Sequence, residues 1–185
     1  MVQCDPGSAS RMVDNDCGVH VMVEDVATTR SPKGETVNVK FLVLRATDPG
    51  QEGKSFTDYF QAYGGGVDKL YNLAEAVGLI TAVQRREAAK QGIGLPIDEA
   101  QLKGCQLCAQ VKMEPGLSAE KPGPYPHVGF DTFSVRDAKA KDIPKDQEYL
   151  AMLAGPQGQG QVAPPQQQQQ TPPAAPPATG PVMNW

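Results

Sequence analysis

The sequence predicts a mainly β domain that ends in a disordered C-terminal tail. Apolar residues recur at every second position in several short segments, which is the pattern of strands with one buried face. Only residues 67–77 carry apolar residues spaced three and four apart, the pattern of an amphipathic helix. No charged residue follows Glu148, and the run QQQQQTPPAAPP lies in that part of the chain. Such a composition buries too little apolar surface to order itself.

The first two predicted strands are joined by a tight turn. Residues 18–29 alternate, with valine at positions 19, 21 and 23. Residues 36–47 alternate in the same way, but both of their faces become apolar towards the end, so part of this strand should be covered on both sides. Between them stands SPKG, in which Pro and Gly favour a turn.

An aromatic third strand and two helices follow. Residues 54–63, KSFTDYFQAY, are predicted to be a strand that the three glycines at 64–66 interrupt. The amphipathic helix then begins, and Gly78 is its stop signal. Residues 82–92 predict a second, polar helix.

Two further strands complete the domain, at residues 102–113 and 127–135. A long loop rich in Pro and Gly, residues 115–126, separates them. Five short strands with a helix between the third and fourth predict an OB-fold, a partly open Greek-key barrel. A sandwich remains an alternative, whereas a ferredoxin-like fold would need a helix after the first strand, where the turn leaves no room.

The sequence therefore divides into three parts. Residues 1–17 are predicted to be a flexible N-terminal arm, residues 18–137 the OB-fold domain, and residues 138–185 the disordered Gln/Pro-rich tail. With 185 residues in all, the chain has room for one such domain and a tail.

Composition and hydropathy exclude several classes of protein. No apolar run approaches the roughly 18 residues of a membrane helix, and the N-terminus lacks the apolar core of a signal peptide. We therefore expect no membrane association and a cytoplasmic location. The chain carries 17 basic and 21 acidic side chains, a formal charge of −4, which is not the usual profile of a nucleic-acid binder.

No pattern in the sequence predicts an active site, and we expect a protein that is not an enzyme and has no cofactor. The pair in CQLC, Cys105 and Cys108, lacks the second pair that a zinc site needs. Cys105 has the parity of an apolar strand face and is predicted to be a small core residue. The glycines at 64–66 lack the flanking residues of a phosphate-binding loop.

The ordered set of segments resembles a family of bacteriophage single-stranded DNA-binding proteins, formerly a domain of unknown function. The resemblance is carried by GVHVMVEDV, SPKGETVNVKFLVL, EGKSFTDYF, LYNLAEAVGL and LKGCQLCAQVKM. It spans residues 18–135. It implies an OB-fold protein that coats and protects single-stranded DNA, with little sequence preference, during phage DNA replication or recombination.

Binding of single-stranded DNA needs cations along the phosphates and flat side chains on which bases stack. The residues predicted to contact DNA are Arg30, Lys33, Lys40, Lys54, Phe56, Tyr59, Phe60, Tyr63, Lys121 and Tyr125. The predicted residues of the third strand point alternately to its two faces. One of these faces must be core, and the sequence does not decide which face it is. The others lie on the second strand or in the first turn and the long loop, the regions with which OB-folds bind oligonucleotides.

The tail supplies a second predicted contact. Single-stranded DNA-binding proteins often end in a short partner-binding tip, and by this resemblance Met183, Asn184 and Trp185 would contact replication or recombination proteins. Homo-oligomerisation stays open. The alternative from a different class is a phage structural or adaptor protein that uses an OB-like barrel for protein contacts, which the net negative charge favours.

Overall fold

The computed structural model describes residues 12–116 and 123–154 as an antiparallel β-sheet with three α-helices. The strands are β1 (Cys17–Ser31), β2 (Gly34–Ala46), β3 (Ser55–Gln61), β4 (Gln106–Glu114), β5 (Tyr125–His127) and β6 (Thr132–Phe133). The helices are α1 (Val67–Ala76), α2 (Ala82–Gln91) and α3 (Gln147–Ala154). The predicted mainly β class is confirmed.

The strands follow the order β3-β2-β1-β4-β5, with β6 also paired to β4. All five strand pairs are antiparallel, and an isolated parallel bridge joins Met12 to Ser55. Among the described residues no ladder joins β3 to β5, so the sheet is open at these two edges. The two edges nevertheless face each other, because the side chain of Asp58 in β3 accepts a hydrogen bond from the backbone N–H of Val128, just after β5, at 2.9 Å.

The predicted fifth strand is split in two. Both β5 and β6 pair with β4, but residues 128–131 between them form a turn in which the N–H of Asp131 donates to the carbonyl of Val128 at 3.1 Å. Gly129 has a φ of +53° in this turn, a conformation that favours glycine. At the break the N–H of Val128 lies outside the ladder and donates to the side chain of Asp58. Six strands therefore replace the five predicted.

The larger of two buried clusters lies on one face of the sheet. The odd-numbered residues of β1 from Val19 to Val23 are at most 1% exposed, as the alternation predicted. The ring of Phe41 in β2 lies 5.1 Å from that of Phe56 and 6.3 Å from that of Phe60, both in β3. Helix α1 packs against β3 and β6 and buries Leu73 completely.

Both helices between β3 and β4 match their predicted positions. Helix α1 ends where Gly78 adopts a φ of +79°. Helix α2 begins with a capping box in which Thr81 and Gln84 bond to each other's backbone N–H. Its C-cap, Gly92, is left-handed with a φ of 66°. These signals define where the two helices begin and end.

The predicted N-terminal arm is in part a fixed element. Val13 is 1% exposed within the core. Asp14 bonds to the side chains of Gln51 and Lys54, and Asp16 accepts a hydrogen bond from the N–H of Met113 in β4 at 2.7 Å. Because these contacts reach both β4 and the loop before β3, residues 12–17 belong to the domain. Residues 1–11 lie outside the described residues.

The domain also extends beyond its predicted C-terminal boundary. The sequence predicts a disordered tail from residue 138, whereas residues 138–154, here called the C-terminal segment, fold onto the outer side of the sheet. Ala140 and Ile143 are buried there with Cys108 and Val135. A Cβ on Gly18 would lie 2.9 Å from Cγ1 of Ile143, so β1 needs a glycine for this close contact. Residues 155–185, including the predicted tip at Met183, Asn184 and Trp185, lie outside the described residues.

None of the helices in the described part of the chain is long and apolar enough to span a membrane.

Candidate nucleic-acid interface

The outward side chains of β2 and β3 form a surface that includes two of the ten predicted contacts, Lys40 and Tyr59. Four of these outward side chains, Asn38, Lys40, Thr57 and Tyr59, are here called the β2–β3 face. Asn38 is the register partner of Tyr59, and Lys40 is the partner of Thr57. The side chain of Tyr59 is 56% exposed, and Lys40 points outward as predicted. An exposed aromatic ring and a lysine thus stand on adjacent strands.

Phe56 and Phe60 do not belong to this surface. They are 2% and 0% exposed and pack on Phe41 in the core, so they cannot stack on bases. Strand parity is the physical reason, because side chains two and four residues apart share one face. The structure therefore assigns the even-numbered set of β3 to the core and leaves Tyr59 outside.

Tyr63 lies beside the turn between β1 and β2. A Cβ on Gly34 would come within 2.6 Å of Cδ1 of Tyr63, so the ring lies directly on the backbone of the turn. Arg30 and the exposed Lys33 flank this turn. The structure thus places Tyr63 at the turn beyond the β2–β3 face. The register pairs Arg30 with Glu35, on the other side of the sheet from Asn38 and Lys40.

Carboxylates neutralise most of the predicted cations. Arg30 pairs with Glu35 at 2.7 Å and Lys40 with Glu24 at 2.9 Å. Within the described residues Lys33 forms no ion pair. The surface therefore carries a balanced charge, in line with the 12 basic and 14 acidic side chains of residues 18–135.

Lys54 has a structural role. Its ammonium donates to Asp14 at 2.9 Å and to Gln51 at 3.3 Å, and its side chain is 18% exposed. The hydrogen bond from Lys54 is the main reason that the pKa of the Asp14 carboxyl lies below its usual value. This lysine fixes the N-terminal residues to the domain and is a poor candidate for contact with phosphate.

Tyr125, predicted to lie in the long loop, lies on β5 and not on the β2–β3 face. It is half-buried and is the register partner of Glu114. Its ring faces Gly123, on which a Cβ would lie 3.1 Å from Cδ2 of Tyr125. Lys121 lies outside the described residues.

A cavity between β4 and the β5–β6 turn was not predicted. It has a volume of about 370 Å³. Its lining includes Gln110, Lys112, Glu114, His127, Phe130 and Asp131. The ring of Phe130 is 58% exposed, which is unusual for an aromatic side chain of this size. Sequence reasoning missed it because Phe130 was taken as one residue of a regular strand.

Asp58 links the cavity to β3. Its side chain is fully buried, and its Oδ2 receives hydrogen bonds from Lys69 at 2.8 Å and from the N–H of Val128. Its Oδ1 lies 3.0 Å from Nδ1 of His127 and 2.7 Å from the N–H of Tyr59. The sequence contained a signal for this site, since an aspartate shares the parity of Phe56 and Phe60, and a buried charge requires partners.

Three of the four cysteines, Cys17, Cys105 and Cys108, lie in the described part of the chain as free thiols. Burial raises the pKa of the Cys108 thiol to about 11. The pKa of the Cys17 thiol is also raised to about 11, mainly by burial. Cys105 is half-exposed just before β4, and Cys108 is the buried one, which reverses the prediction. Among the described residues no three His, Cys, Asp or Glu side chains could hold a metal ion.

A scan against known protein families found no match, and a search of curated proteins found no relative.

Proposed function

We propose that this protein binds single-stranded DNA through the β2–β3 face of an OB-fold that is open between β3 and β5. The observation that carries the proposal is Tyr59, an aromatic ring 56% exposed on a rigid strand next to Lys40. Stacking of a base on such a ring contributes about 1–3 kcal/mol and tolerates any base. The protein would then coat and protect the strand with little sequence preference, and it would have no catalytic role.

The charge balance determines the mode of binding that we expect. The Lys40 ammonium is already paired with Glu24, so a phosphate must displace or share this partner. Stacking should therefore supply a large part of the affinity, and the cations should orient the backbone. The resemblance to phage single-stranded DNA-binding proteins supports a role in DNA replication or recombination, with partner proteins contacted through the tail.

A titration of the full chain with a fluorescent oligo-dT and with a duplex of equal length, over a range of salt concentrations, tests the proposal. We expect tight binding of the single strand, weak binding of the duplex and an affinity that falls with salt. Tyr59→Ala should weaken binding by about fivefold or more without changing the far-ultraviolet circular dichroism spectrum.

A matched pair of lysine variants tests the position of the surface. Lys40→Ala should weaken binding and reduce its salt dependence. Lys90→Ala is the control, because Lys90 also pairs with a glutamate at 2.9 Å but lies on α2. Equal effects of the two variants would show that only net charge matters and would contradict a defined surface.

The second candidate function is a phage structural or adaptor protein. The observation in its favour is that Arg30 and Lys40 both have carboxylate partners, a balanced surface that suits contact with another protein. Equal and weak binding of single-stranded and duplex DNA at low salt would exclude the first proposal in favour of this one.

A further inference from the structure

We infer that the cavity between β4 and the β5–β6 turn holds one nucleotide of the bound strand, with its base against Phe130. This inference rests on the proposed function and deepens it, since it adds a subsite beyond the β2–β3 face. The volume of about 370 Å³ lies near the lower end of the roughly 300–1,000 Å³ typical of small-molecule sites, which suits a single nucleotide.

The cavity lies beside the β3 edge. A single oxygen, Oδ1 of Asp58, accepts the N–H of Tyr59 at 2.7 Å and contacts the His127 ring at 3.0 Å. The side chain of Tyr59 faces outward on β3, whereas Asp58 is buried on the other face, and His127 lines the cavity on β5. A DNA strand that stacks on Tyr59 would reach the cavity by crossing the β3 edge, where the Lys69 ammonium donates to the carbonyl of Tyr59 at 3.3 Å.

The same carboxylate fixes the chemistry of His127. An ionised carboxylate only accepts hydrogen bonds, so Nδ1 of His127 carries the proton that points to Asp58. The opposite ring nitrogen, Nε2, has no partner among the described residues. It accepts a hydrogen bond from an N–H of a base when the ring is neutral. The bond to Asp58 holds the ring in place before a ligand arrives.

Phe130 supplies the stacking surface. Its ring is 58% exposed, while its carbonyl accepts a hydrogen bond from Nδ2 of Asn72 in α1 at 3.2 Å. The backbone at this position is thus attached to a helix, and the exposed ring stands on a fixed support. A flat base that covers this ring removes exposed apolar surface from water.

The charges around the cavity are mixed, so stacking on Phe130 should supply much of the affinity at this subsite. Lys112 is an exposed cation that can contact one phosphate, and the amide of Gln110 can bond to a base edge. Glu114 and Asp131 line the same cavity and repel an excess of negative charge. The cavity therefore offers stacking and hydrogen bonds together with a single phosphate contact.

Photo-crosslinking of the full chain to an oligo-dT that contains 5-iododeoxyuridine, followed by peptide mapping, locates the contacts directly. We expect crosslinks at Tyr59 and at Phe130 or His127. Phe130→Ala should weaken binding of a long oligonucleotide by between about fivefold and 150-fold. Val83→Ala is the matched control, because Val83 is an apolar side chain 64% exposed on α2.

The outcomes separate this inference from the proposed function. If the wild-type protein binds oligo-dT, but Phe130→Ala binds within twofold of it and no crosslink falls in residues 127–131, the cavity is not a subsite and the proposed function stands. If the wild-type protein does not bind oligo-dT, the proposed function fails and the subsite fails with it. His127→Gln, which keeps a polar side chain, should give a smaller loss than Phe130→Ala.

Discussion

The Nδ1 atom of His20 accepts a hydrogen bond at 2.9 Å from the backbone N–H of Asp146, 126 residues later in the chain. The His20 ring is fully buried, and its centroid lies 5.8 Å from that of Tyr149 in α3. Because Nδ1 accepts, the proton of the neutral ring lies on Nε2. This bond ties β1 to the C-terminal segment.

We predict that the domain loses stability as the pH falls from 6.5 to 5. Burial, with the nearby cations Lys145 and Arg45, lowers the pKa of His20 below its usual value of 6.5, although the Asp146 carboxylate acts in the opposite direction. The unfolded chain therefore takes up a proton below pH 6.5, whereas the folded chain resists it. The free energy of unfolding should fall by at most about 1.4 kcal/mol for each pH unit in this range.

Urea unfolding followed by circular dichroism at several pH values measures this effect. His20→Asn keeps an acceptor near the position of Nδ1 and cannot titrate, so its stability should be lower at pH 7 but flatter between pH 6.5 and 5. An unchanged slope in this variant would assign the pH dependence to other groups.

The packing of the C-terminal segment predicts the effect of two truncations. Removal of residues 138–185 takes away Ala140 and Ile143 and uncovers Cys108. We expect a loss of roughly 2–5 kcal/mol of stability, the range for loss of a large buried aliphatic side chain. We also expect rapid modification of Cys108 by a thiol reagent at pH 8, since its pKa of about 11 depends on burial.

Removal of residues 155–185 is the matched comparison, because it retains the whole C-terminal segment. Peptide mapping of the modified thiol should show Cys108 protected in this shorter truncation. Equal reactivity of Cys108 in the two truncations would mean that the segment does not cover it in solution.

Asp58 is expected to be among the most sensitive positions in the domain. Its buried carboxylate has the Lys69 ammonium at 2.8 Å and backbone N–H groups of Tyr59 and Val128 as donors. In Asp58→Asn, the side-chain NH₂ group, which is a donor, would lie next to these donors in place of an accepting oxygen. This variant should therefore destabilise the fold by about 3–5 kcal/mol.

Asp25→Asn is the control, because the pair of Asp25 and Lys103 is exposed to water and should contribute little. Thermal unfolding of the two variants measures the difference.

Local patterns in the sequence were sufficient for much of the fold. Alternation placed β1 to β4, because burial of one sheet face constrains every second residue, and Gly78 and Gly92 marked the helix ends. The contacts of Asp58 with His127 and of His20 with Asp146 could not be predicted in this way, because they join positions 69 and 126 residues apart. The boundary at residue 138 was predicted from charge and composition. Neither property shows that Ile143 packs against Gly18.

The same limit applies to the candidate interface. Strand parity divides the third-strand aromatics into two sets, and the burial of Phe56 and Phe60 beside Phe41 of the adjacent strand shows which set faces inward. Phe130 was predicted to lie in a regular strand, whereas it lies in the turn between β5 and β6. Tyr59 could be proposed from the sequence, whereas the cavity required the tertiary structure.

The ion pair of Lys40 with Glu24 leads to a gain-of-function prediction. Glu24→Gln removes the carboxylate that competes with phosphate for the Lys40 ammonium, 2.9 Å away. The affinity for oligo-dT at low salt should rise by about 1.5- to fivefold, which corresponds to the roughly 0.2–1 kcal/mol of an exposed ion pair. The gain should become smaller as salt screens the charges.

Glu87→Gln is the control, because it changes the net charge equally. The partner of Glu87, Lys90, lies on α2, so this variant should leave the affinity nearly unchanged. Fluorescence anisotropy titrations of the two variants compare them directly, and a gain of equal size in both would show that net charge, rather than release of Lys40, controls binding.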